Sequence, residues 1–197
     1  MANPYETKQP VRLWDPSGRL SLAGLKDNIL NFPYTPTVSS MQGANYSEYA
    51  LTHNNFQQRA FESGQNVEIN ITAPMVVRSE EQAEYIVKAG LWVRSAMKMN
   101  FGQDSSPGLP PPVLRFYAHG LYTAVPCMIR DFAWNLDSDI DYLEYNSKST
   151  GGIVRIPVMN TFVLSLSTTY APKDVRENFS VRDYMQGKLR NDGYVWY

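Results

Sequence analysis

Apolar and polar positions alternate with a period of two over residues 67–73. Val67, Ile69, Ile71 and Ala73 fall on one side and Glu68, Asn70 and Thr72 on the other. That period belongs to a strand with one buried face. The same alternation returns inside the run Ile153–Tyr170. Phe162, Leu164 and Leu166 oppose Val163, Ser165, Ser167 and Thr169 there. Further strands are expected over Ile29–Tyr34, around Tyr46, Tyr49, Leu51 and Phe56, over Val113–Ala118, over Leu121–Leu136 with a break near Pro126, and over Ile140–Tyr145.

The period changes once. Ser79 followed by Gln82 makes a capping box, and Glu80 and Glu81 suit the positive end of a helix dipole. Beyond them Ile86, Gly90, Val93 and Met97 recur at helical spacing, with Glu84 and Lys88 paired on the polar side. The pattern predicts a helix over residues 79–100, stopped by Asn100 and Gly102, with Ile86, Gly90, Val93 and Met97 as its packing face. Glycine is a poor helix former, so Gly90 predicts close approach to another part of the chain.

Strands, one helix and more strands make a mainly β, α+β chain with an antiparallel sheet rather than alternating βαβ units. Residues 1–28, with Pro4, Pro10, Pro16 and Gly18, read as an N-terminal arm tethered by Val11–Trp14 and Leu20–Leu25. Residues 29–197 make one β domain that carries the helix. After Pro172 the pattern is mixed, with a helical turn near Asp174–Asn178 and an apolar end at Tyr194–Tyr197.

Composition removes several classes of function. The 197 residues carry a net charge of −1, so no basic field draws the chain to nucleic acid or membrane. No apolar run is long enough for a membrane helix, and Met1–Pro10 has no secretory pattern. Thirteen tyrosines and eight phenylalanines favour strands and interfaces. His53 and His119 do not stand at a metal-ligand spacing, and Cys127 alone cannot hold zinc. Asp137, Asp139 and Asp141 begin like a calcium loop, but Tyr142 and Lys148 occupy the places that need glycine and glutamate. No catalytic site, cofactor or metal is expected. A nucleophilic Cys127 paired with a histidine is the enzymatic alternative, and a monomeric binding module is another.

The order of short motifs adds a resemblance. Phe32-Pro33-Tyr34-Thr35-Pro36 precedes Ala44-Asn45-Tyr46 and Leu51-Thr52-His53-Asn54-Asn55. The helix opens on Ser79-Glu80-Glu81-Gln82-Ala83-Glu84-Tyr85 and ends in Arg94-Ser95-Ala96-Met97-Lys98-Met99-Asn100-Phe101-Gly102. Gly108-Leu109-Pro110-Pro111-Pro112-Val113-Leu114, Val125-Pro126, Asp141-Tyr142, Ile156-Pro157-Val158 and Tyr170-Ala171-Pro172 come after it. This succession, over about residues 30–190, resembles the tube-initiator and tube-cap proteins at the baseplate of contractile-tailed bacteriophages.

The resemblance implies a tail-tube fold, an antiparallel β-sandwich or partial barrel with an outer helix. It implies a homo-oligomeric ring of six whose inner strands join into one barrel around a lumen. Such a ring sits on the baseplate hub protein and templates polymerisation of a second initiator or the tail-tube protein. The sheath initiator and tape-measure protein lie nearby. The expected location is the virion tail, assembled in a host cytoplasm. DNA would pass through without specific binding, and no membrane partner is implied. A tail-tube protein, or a ring protein of an injection system, is the alternative within the same resemblance. A channel that lets DNA slide needs a neutral or acidic wall. Glu68, Asn70 and Thr72 on one strand, and Val163, Ser165, Ser167 and Thr169 on another, are therefore the candidate lumen-facing residues. They also fit ordinary solvent faces.

Overall fold

The computed structural model describes residues 10–50, 52–104 and 106–190. Leu51, Pro4 and the apolar end Tyr194–Tyr197, all named above, lie outside them. The described residues are mainly antiparallel β and form no closed barrel. Its first strand, β1 (Arg12–Trp14), is followed by two 3₁₀ turns and β2 (Ile29–Asn31). Then come β3 (Thr37–Met41), β4 (Ala44–Tyr49), β5 (Gln58–Gly64) and β6 (Glu68–Val76). Helix α1 (Glu80–Ala96) leads to β7 (Leu114–Ala118), β8 (Tyr122–Leu136), β9 (Tyr142–Ser147), β10 (Gly152–Pro157) and β11 (Met159–Thr168). Two short helices, α2 (Pro172–Asn178) and α3 (Val181–Met185), and a 3₁₀ turn at Lys188–Arg190 close the described chain.

Seven strands form one sheet in the order β2-β1-β7-β8-β11-β6-β3, while β4 with β5 and β9 with β10 form separate hairpins. The core lies on one side of the large sheet. Ile69, Ile71, Ala73 and Met75 from β6 meet Phe162, Leu164 and Leu166 from β11 and Leu114 and Phe116 from β7. Helix α1 covers them with Ala83, Ile86, Ala89, Gly90, Trp92 and Val93, all buried. The layers found are thus sheet and helix, where the resemblance implied a sandwich or partial barrel.

Several sequence expectations shift in detail. Residues 10–28, read as a tethered arm, put β1 inside the sheet between β2 and β7. The buried Asp15 carboxylate shapes the turn that leaves β1, accepting from the backbone N–H groups of Ser17 and Leu20 and from the Ser17 hydroxyl. The run Ile153–Tyr170 is two strands in different sheets, parted at Val158. There Val158 donates its N–H to Asp141 and accepts from Val77. Strand β8 runs unbroken through Pro126. The Pro126 carbonyl accepts from Thr169 N–H, so the proline nitrogen faces β11 just past the last ladder pair, Cys127–Thr168, where no donor is required. The helix stops at Ala96, one turn before the expected Asn100.

Helix α1 is fixed at three places. Ser79 caps its N-terminus, accepting from Gln82 N–H at 3.4 Å. The Tyr85 hydroxyl donates to the carbonyl of Asn31 and accepts from its N–H, both at 2.9 Å, tying the helix to β2. Glu84 accepts from the Ser147 and Ser149 hydroxyls and from Ser149 N–H, which holds the β9–β10 turn. Burial raises the Glu84 pKa, but the bonds from Ser149 and Ser147 and the charge of Lys88 outweigh it, leaving the carboxyl below its ordinary value.

Candidate channel face and its edges

Strands β6 and β11, nominated separately from their alternation, are neighbours in the sheet. Their polar sides form one surface, because Thr72 stands opposite Val163, Asn70 opposite Ser165 and Glu68 opposite Ser167. The Ser165 hydroxyl donates to Asn70 Oδ1 at 2.7 Å across that pair. Thr169, the seventh nominated residue, lies just past the end of β11.

The surface extends to both flanking strands, which the sequence did not nominate. On β3, Thr37, Ser39 and Met41 pair with Thr72, Asn70 and Glu68. On β8, Met128, Asp131, Ala133 and Asn135 pair with Ser167, Ser165, Val163 and Thr161. Four strands therefore carry a face of small and polar groups, its bulkier apolar members being Val163, Pro74, Val76 and the three exposed methionines, Met41, Met128 and Met159. Strand β3 escaped notice because Thr-Val-Ser-Ser-Met has a single core-type residue, Val38. Its period-2 signal is too short to read.

Charge on this face is sparse. Glu68 and Asp131 are its carboxylates, and Arg130 is the only lysine or arginine in β3, β6, β8 and β11. A β-bulge brings Arg130 there. Ser165 pairs with Asp131 but Leu166 pairs with Ile129, which leaves Arg130 as the extra residue. The Arg130 guanidinium forms an ion pair with Glu68 on β6, two strands away, and its Nε stands 3.6 Å from Asp131.

Both ends of this four-stranded layer are open. Among the described strands β3 is the last in the sheet and pairs with β6 alone. Strand β8 pairs with β7 only as far as Cys127. From Met128 to Leu136 it has β11 on one side and no described strand on the other. Beneath that open stretch a cavity is lined by Phe132 and Trp134 of β8 and by Arg94, Met97 and Lys98. Rows of unpaired backbone groups of this kind invite pairing with another strand.

Trp134 also explains the helix packing face. Its indole N–H donates to the buried Asn160, and its ring stacks edge-on against Phe162. Gly90 lies so near that a β-carbon there would meet Trp134 Cζ3 at 2.7 Å. Ile86 and Val93 are fully buried beside it, and Met97 is partly buried against the same core.

The β4–β5 hairpin has no such cover. Past Gly43 and Gln65, joined by a 2.8 Å backbone bond, it continues the β3–β6 ribbon outward by about 20 Å at the usual rise per residue. Nearly all of it is exposed, including Tyr46 and the 63% exposed Phe61 stacked on it.

The residues of the enzymatic alternative stand differently. Cys127 is fully buried, and burial pushes its thiol up to about 12 against the pull of Arg115. His53 and His119 are exposed, each at positive φ, the first between β4 and β5 and the second in the turn from β7 to β8. Among the described residues no three histidine, cysteine, aspartate or glutamate side chains converge as metal ligands, and no helix is long and apolar enough to cross a membrane.

No family model matches this chain, and neither does any curated protein. Among solved structures, it is similar to a chain from the tail of an empty GTA particle, computed with helical refinement and C6 symmetry. The similarity covers 82% of this chain and 91% of the other, with 7% sequence identity and a TM-score of 0.41.

Proposed function

We propose that this chain is a structural subunit of a phage-like contractile tail, without catalytic activity, that joins copies of itself into a ring around a channel. In the finer form of this reading the ring is a hexamer on the baseplate hub. It acts as the initiator from which the tail tube grows, with the sheath initiator and tape-measure protein as neighbours. The motif succession that resembles tube initiators supports the hexamer and the baseplate position.

The observation that carries the reading is the polar four-stranded face bounded by two open edges. An edge on β3 and an edge on β8, at opposite ends of one layer, make the chain complementary to itself in a head-to-tail sense. A head-to-tail contact that closes gives a ring, and closure removes the exposed edges. The polar face then lies on the inside of a barrel and the helix on the outside. Few charges, with carboxylates outnumbering cations, suit a wall along which a polyanion slides.

Imaging of the native particle tests this directly. The expected result is a layer of six copies at the base of the tail, with β3, β6, β8 and β11 around the lumen. Three or twelve equivalent copies in that layer would remove the hexamer. Purified chain that polymerises alone into long tubes would make it the tube protein instead of its initiator.

A further inference from the structure

Arg130 is a cation on a face otherwise free of lysine and arginine, and three features of the structure bear on it. The bulge in β8 takes it out of the regular alternation, so its side chain can reach over β11. Its Nη1 donates to the Glu68 carboxylate on β6. Its Nε lies 3.6 Å from the carboxylate of Asp131, the next residue along β8. The guanidinium is thus engaged by acids from two strands while remaining more than half exposed to solvent.

Stability does not account for this arrangement, since exposed ion pairs contribute little to folding. Recognition does. A free guanidinium presents a planar fork that fits phosphate oxygens, and it is the side chain best suited to gripping a nucleic-acid backbone. Repeated around a ring, such forks would bind multivalently, and the summed contacts would far exceed one alone.

We propose that Glu68 and Asp131 act as a charge guard, occupying Arg130 so that it does not engage the phosphates of nucleic acid moving past this face. The inference rests on the channel reading above. It assigns Glu68 a role in keeping the wall non-adhesive, beyond adding negative charge.

The test uses the full-length protein in three forms: wild type, Glu68→Gln with Asp131→Asn, and that pair combined with Arg130→Gln. Binding to a fluorescently labelled 30-base-pair duplex is followed by anisotropy from 20 to 200 mM salt. The guard-free variant should bind at least fivefold more tightly than wild type at 50 mM salt, its log–log salt dependence steeper by about 0.9 per added phosphate contact. Adding Arg130→Gln should return binding to the wild-type level. Equal binding by wild type and the guard-free variant would overturn the proposal. So would tight binding that persists without Arg130, because the gain would then come from lost negative charge alone. Genome ejection from assembled particles separates this from the reading it rests on. Unchanged ejection by a guard-free variant that grips DNA in solution would take the face out of the channel.

Discussion

At the residue scale, the clearest case is Gly90. Helical spacing together with a residue that disfavours helices was enough to expect close packing there, and the structure supplies the partner, Trp134. The partner itself was not legible, because Trp134 lies 44 positions away on a strand whose role depends on the whole sheet. Its indole cannot retreat, being held by Asn160 and stacked against Phe162. Gly90→Leu is therefore expected to cost about 1–3 kcal/mol by overpacking. Thermal or denaturant unfolding measures it, and combining Gly90→Ala with Trp134→Leu should recover part of what Gly90→Ala loses alone. A Gly90→Leu protein as stable as wild type would rule out the contact. Asp15 teaches the converse lesson. An aspartate between a tryptophan and a proline carries no periodic signal, yet its carboxylate takes three hydrogen bonds and organises the turn after β1. Local side-chain capping of the backbone leaves little trace in hydrophobic pattern.

At the element scale, strands with strict alternation were legible, as were the end strand β2 and, from its tyrosines, β4, while β3 and β5 were not. Residues 67–73 and the second half of the Ile153–Tyr170 run are central strands with one buried face, and their period survives in the sequence. Strands β3 and β5 bury almost nothing in the single chain, so no apolar side marks them, whereas Tyr46 and Tyr49 mark β4. Elements of this kind derive their definition from a partner. A hairpin of two strands is marginal by itself in water, and two exposed edges on one layer are a liability unless they are covered. Proline tests this without disturbing the core. Along β3, successive N–H groups point alternately toward β6 and away from it, so at the exposed Ser39 and Ser40 one N–H faces inward and the other outward. Proline at the outward position should leave the fold and its melting temperature nearly unchanged while blocking assembly. Proline at the inward position should destabilise the fold by breaking the ladder to β6. Assembly unaffected by either substitution would show that β3 is not a joining edge.

At the scale of the whole molecule, the sheet does two things with one alternation. The residues that build the core, such as Ile71 and Leu164, oblige Asn70, Thr72 and Ser165 to share the opposite face, because β6 and β11 are paired in register. Sequence alternation alone presented two separate polar rows and left open whether either faced a channel. Pairing makes them one surface, and β3 and β8 widen it. Whether that surface lines a lumen depends on copies outside the single chain, and charge is the most direct probe of it. Ser165 and Ser167 point to this face and are half-buried, so lysine at each can extend its long stem along the surface and keep its ammonium in water. The doubly substituted Ser165→Lys, Ser167→Lys subunit should fold and assemble as wild type does. If six copies surround a channel, the substitutions add twelve positive charges to its wall, and passing DNA should be retarded through its phosphates. Genome ejection from such particles is expected to slow, and to recover as salt is raised, since the added attraction is screened. Both responses are read in one ejection assay across a salt series. Slowing that salt leaves unchanged would indicate a distorted tail rather than an adhesive wall. Wild-type kinetics at every salt, in correctly assembled particles, would show that these strands do not line a channel.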